Sequence, residues 1–234
     1  MVLDTLGDMM LGLIAIVAAL AAVAGVVNLG SLFHDKLRDL FNDVNYFIFF
    51  FLVTGYSLYA LGEVSYYLTL VIFKNASQMG IQDIYWVSGG LLILISFIAM
   101  TFVLMKEHGS SNLLIKQLMY GGLLTILVLA IIFGIGGSNY SFSYVYPIIS
   151  AFIVSSALVV IFLSNYLGDF GQVLFFLFLA STGILAGDIL FHYSNTLGGY
   201  GIIGLLSDLF YLAGYGLSLV AFVVMRFKIK AIKI

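Results

Sequence analysis

The chain has 234 residues, 63% of them hydrophobic and only 9% charged, with a mean hydropathy of +1.17. A soluble domain carries roughly 25% charged residues, so this composition excludes a water-facing surface and calls for lipid as the solvent. The net charge of −2 excludes a polybasic nucleic-acid binder, and the absence of Cys excludes disulfides, thiolate metal sites, iron–sulfur clusters and Cys nucleophiles.

Met1 to Asp8 carries two acids and no Lys or Arg, unlike the positive start of a cleaved signal peptide. Seven apolar runs follow, at about 9–33, 46–73, 85–105, 113–135, 142–166, 170–193 and 198–225. Each approaches the ~20 residues a helix needs to cross the hydrocarbon core. The predicted fold class is therefore an all-α integral membrane protein, a seven transmembrane helix bundle forming one domain over 1–234, with no separate soluble domain.

The first run repeats small residues at four-residue spacing: Ala15 and Ala19, Ala18 and Ala22, Ala21 and Gly25. Such faces let helix backbones approach closely in lipid, either within a bundle or in a homodimer. His34 to Leu40 extends this run as a juxtamembrane turn, and Asn42, Asp43 and Asn45 end the connection. The second run, as long as the seventh, contains Glu63. The third opens on Tyr85 and Trp86, which with Tyr46, Tyr166, Tyr193 and Tyr200 read as interfacial anchors. The fifth holds the sole proline, Pro147, near its start, where its missing N–H is tolerated. The sixth carries Gly183-x-x-x-Gly187 followed by Asp188 and His192, and the seventh carries Asp208, Tyr211 and Tyr215.

Lys and Arg set the orientation. Lys36, Arg38, Lys106, Lys116, Arg226, Lys228, Lys230 and Lys233 fall on one side and only Lys74 on the other. By the positive-inside rule the N-terminus is outside and the C-terminus cytoplasmic, in the plasma membrane. The sequons at Asn75 and Asn139 fall in connections predicted outside, as candidate glycosylation acceptors. The C-terminal alternation of basic and apolar residues suits anionic headgroups or a docking partner.

Glu63, Asp188 and Asp208 are the acids inside the predicted spans. A carboxyl in hydrocarbon is costly, so such residues face the bundle interior. Depth along the helices puts all three in the outer half or near the midplane, and His192 lies one turn beyond Asp188 on the same face. Tyr56, Tyr59, Tyr211 and Tyr215 lie deep enough to hydrogen-bond them. These residues form either an outward polar pocket between the second, sixth and seventh helices, for a ligand, ion or proton, or a set of polar locks between helices.

The three His do not face one another within the bundle as haem requires, and none has the H-x-x-x-H spacing of a zinc site. No Ser-His-Asp set or phosphate loop stands out. No enzyme, metal or cofactor is expected.

The seven-helix, N-out arrangement is similar to that of microbial rhodopsins, and Asp208-Leu-Phe-Tyr211-Leu-Ala-Gly214-Tyr215-Gly216 resembles their retinal-binding helix. The Schiff-base Lys of that family falls on Leu212, so no covalent retinal is implied. The stretch Ala186-Gly187-Asp188-Ile-Leu-Phe191-His192-Tyr193, with Tyr200-Gly201 and then Asp208 to Tyr215, resembles the end of multi-helix membrane sensor domains that precede diguanylate cyclases and histidine kinases in prokaryotes. That resemblance implies a signal-input module with Asp188 and Asp208 shaping a pocket. An accessory subunit of a larger membrane complex and a small transporter or proton/cation pathway are the alternatives. The partners expected are the lipid bilayer and membrane proteins or a second copy, with no nucleic acid.

Overall fold

In the computed structural model, residues 2–34, 40–74, 80–108, 112–135, 142–163, 170–197 and 201–232 are described. Asn75, Asn139, Tyr166, Tyr200, Lys36 and Arg38 lie outside them. The helices are α1 (Val2–Phe33), α2 (Val44–Tyr67), α3 (Ile81–His108), α4 (Leu113–Ile135), α5 (Phe142–Leu163), α6 (Phe170–Leu197) and α7 (Ile202–Ile232). A π-helical turn, Leu68–Ile72, continues α2. Among the described residues, seven helices are long and apolar enough to cross a membrane.

Local chemistry accounts for several ends. Asp43 caps α2, its Oδ1 accepting from the N–H groups of Asn45 at 3.0 Å and Tyr46 at 3.2 Å. Gly201 precedes α7, and its carbonyl accepts from Leu205 at 3.2 Å. α7 runs on through the basic segment to Ile232, so that segment is helical and not a separate tail. Pro147 stands at the sixth residue of α5, beyond the first turn. The early-position tolerance expected for it therefore does not apply, and the Ser143 carbonyl loses its regular helical donor.

Six helices close a ring in the order α1, α2, α3, α5, α6, α7 and back to α1, while α4 stands outside it against α5. α2 and α7 are separated by α1 around this ring and meet through large side chains that cross the interior, Tyr56 with Phe222 and Tyr59 with Tyr215. Two pairs of glycines set the tightest crossings. A Cβ on Gly55 of α2 would lie 2.7 Å from the Gly89 carbonyl oxygen of α3, and a Cβ on Gly183 of α6 would lie 3.2 Å from Gly214 Cα of α7. Gly183 and Gly187 thus serve packing within the chain, and Ala15, Ala18 and Ala21 are buried in the core.

Side chains also bind neighbouring backbones. Asn28 donates to the Phe222 carbonyl (2.6 Å), Ser96 to that of Ile48 (2.9 Å) and Ser207 to that of Gly187 (2.9 Å). These bonds join α1 to α7, α3 to α2 and α7 to α6. One half of the bundle is filled by Leu52, Tyr56, Phe97, Val160, Leu177, Phe222 and Met225 in an apolar core. The half towards the start of α1 is hollow.

Candidate ligand cavity

The hollow is a cavity of about 360 Å³ enclosed by the six ring helices. Leu11 and Ile14 of α1 line it, as do Gly204, Ser207 and Asp208 from the first two turns of α7. The π-helical turn widens α2 there and brings Leu70 into the wall. Asn195, near the end of α6, is exposed and also lines the cavity, so the mouth lies at this end of the bundle.

Glu63, Asp188 and Asp208 all line this one cavity and are all buried. Two acids are held by aromatic donors from neighbouring helices. Glu63 Oε1 accepts from the Tyr215 hydroxyl at 2.7 Å and from the Trp86 indole N–H at 3.1 Å. Asp188 Oδ1 accepts from the Tyr211 hydroxyl at 2.7 Å, and its Oδ2 from the Ser150 hydroxyl at 2.5 Å. A carboxylate accepting such bonds is satisfied without water, which lets it sit at membrane depth. The second oxygen of Glu63, Oε2, accepts no hydrogen bond among the described residues.

A glycine precedes each of these two acids for a steric reason. A Cβ on Gly62 would lie 2.5 Å from the Trp86 ring, and a Cβ on Gly187 would lie 2.8 Å from the Tyr211 ring. Each glycine clears the space in which the aromatic donor swings onto the following acid. Gly-Glu at 62–63 and Gly-Asp at 187–188 are therefore working dipeptides, not incidental composition.

His192 departs from its expected place. It is fully buried but is not among the cavity-lining residues, and its ring lies 4.8 Å, centroid to centroid, from that of Tyr144 on α5. Four residues along a helix leave about 40° of rotation, enough here to turn Asp188 inward and His192 towards α5.

Other participants were not singled out by sequence. Trp86 reads as an anchor because it stands near a span end, yet it reaches Glu63 and lines the cavity. Asp83 reads as part of a connection, but it is buried in the first turn of α3, accepting from the Tyr146 hydroxyl and from the Gly80 N–H (2.7 Å). Ser150 also lines the cavity, beside Tyr59, one of the tyrosines expected at this depth. The spacing of Asp83, Trp86 and Gly90 along one face of α3 is the signal that could have placed the first two inside.

No protein-family model, curated protein or solved structure matches the chain.

Proposed function

We propose that the chain is a non-enzymatic, multi-pass plasma-membrane protein, a sensor-like or ligand-binding module, oriented with its N-terminus outside and C-terminus cytoplasmic. The observation that carries this reading is the convergence of Glu63, Asp188, Asp208, Tyr211 and Tyr215 on one cavity. A set of acids serving only as polar locks would be packed over, whereas these surround open space. Lys106, Lys116, Arg226 and Lys228 lie towards the opposite end of their helices, so the positive-inside rule puts the mouth of the cavity on the outer face.

A continuous proton or cation pathway is the weaker alternative, because the other half of the ring is filled by the apolar core around Leu52, Phe97 and Phe222. A purely structural subunit gives no reason for the cavity.

The test uses Trp86, the only tryptophan in the chain. Purified protein is titrated with a panel of small polar and charged molecules while Trp86 emission is followed. A saturable change that Asp188→Asn or Asp208→Asn weakens, with thermal unfolding preserved, supports a ligand site. Loss of folding in both variants, with no probe altering emission of the unmodified protein, would mean that the acids are helix locks.

A further inference from the structure

We infer that the cavity takes an organic cation of the ammonium class; this rests on the ligand-binding reading above and names the chemistry of its ligand. Three carboxyl groups line the cavity, and no Lys, Arg or His does among the described residues. An anionic ligand would find no counter-charge. The acids alone would not make a site, but two further observations point to what fills the space.

First, most of the wall's hydrogen-bond donors are already committed. The hydroxyls of Tyr211, Tyr215 and Ser150 and the indole N–H of Trp86 donate to the acids. The Tyr146 hydroxyl donates to Asp83 and that of Ser207 to the Gly187 carbonyl. What the wall retains is chiefly acceptors and aromatic rings. Glu63 is 7% exposed and lines the cavity, yet its Oε2 has no hydrogen bond among the described residues. A ligand complementary to this wall donates hydrogen bonds and carries positive charge.

Second, the wall is aromatic. Tyr66 and Trp86 lie 5.3 Å apart by ring centroids, Trp86 and Tyr146 5.7 Å, and Tyr59 and Tyr215 6.4 Å. Rings drawn from α2, α3, α5 and α7 surround a space that also holds carboxylates. Ring faces attract an alkylated ammonium through the quadrupole, and the apolar walls accept its carbon atoms. A small inorganic cation would be poorly served, because it needs a close shell of oxygen ligands. The volume of about 360 Å³ lies within the range of small-molecule sites.

The experiment titrates the full-length protein in lipid nanodiscs with three probes of similar size: benzylammonium, benzyl alcohol and benzoate. Trp86 emission and thermal unfolding are the readouts. Benzylammonium is expected to give a saturable change and raise the unfolding temperature, with the other two inactive at equal concentration. Glu63→Gln keeps an acceptor for Tyr215 and Trp86 but cannot ionise opposite a cation, and should weaken benzylammonium binding by about tenfold or more. Asp208→Asn gives a second variant should the first fail to fold. Saturable binding of benzyl alcohol or benzoate without benzylammonium would overturn the cation assignment while leaving a ligand cavity. Silence of all three in a folded protein would overturn both readings. Equal binding of benzylammonium to unmodified protein and both variants would also overturn the assignment.

Discussion

The hydroxyl of Tyr215 on α7 reaches Glu63 Oε1 on α2 at 2.7 Å, across 152 residues of sequence and past the intervening helix α1. Trp86 of α3 donates to the same oxygen. One carboxylate oxygen therefore ties α2 to its ring neighbour α3 and, past α1, to α7, and its position fixes one wall of the cavity.

Tyr215→Phe should show what that tie contributes. The ring fits, but a donor to a buried carboxylate is lost. Interhelical hydrogen bonds in membranes contribute about 0.6 kcal/mol on average and up to ~1.7, so a loss within that range is expected. Reversible unfolding in mixed micelles measures it. A variant as stable as the parent would mean that Glu63 finds another donor.

Gly62→Ala tests the link between backbone and indole. The added methyl would lie 2.5 Å from Trp86, which is a clash unless the indole moves. Overpacking typically costs about 1–3 kcal/mol, and the displaced indole should lose its bond to Glu63. The expected signature is a shift in Trp86 emission together with lower stability. Unchanged emission would place the strain elsewhere.

Much of this was legible in the sequence because lipid imposes a simple rule: a carboxyl at membrane depth turns inward. That rule selects Glu63, Asp188 and Asp208, and the spacing of Asp208, Tyr211 and Tyr215 puts the tyrosines on or near the same face. Ring order was not legible, because hydrophobic runs carry no record of which neighbour each helix chooses. The position of α4 outside the ring and of α1 between α2 and α7 therefore came only with the structure. Trp86 and Asp83 were missed for a related reason. Aromatic and charged residues near span ends are equally at home at headgroups, and only the inward turn of α3 against Glu63 and Tyr146 distinguishes them.

Orientation can be measured directly because the chain has no Cys. Asn195→Cys sits at the cavity rim and Lys106→Cys at an exposed position near the far end of α3. A membrane-impermeant maleimide should label the first in intact cells and the second only after permeabilisation. The reverse pattern would place the cavity mouth in the cytoplasm and invert the proposed topology.

The α2–α3 crossing offers the most discriminating test of how packing supports the site. A methyl on Gly55 would meet the Gly89 carbonyl oxygen at 2.7 Å and Ile93 Cγ1 at 2.6 Å. One of these atoms belongs to backbone, so rotation of a side chain cannot relieve the contact and the helices must separate. Trp86 lies one turn before Gly89 and Gly90, and Glu63 two turns after Gly55, so separation should draw donor from acceptor. Gly55→Ala is expected to cost about 1–3 kcal/mol and to weaken any ligand response read through Trp86. Gly216→Ala is the control, since a methyl there meets nothing within 4 Å and replaces a poor helix former with the best, worth about 0.5–1 kcal/mol in soluble helices. If Gly55→Ala proved as stable and as responsive as Gly216→Ala, the two helices could not be crossing at these glycines, and the cavity wall they support would have to be drawn differently.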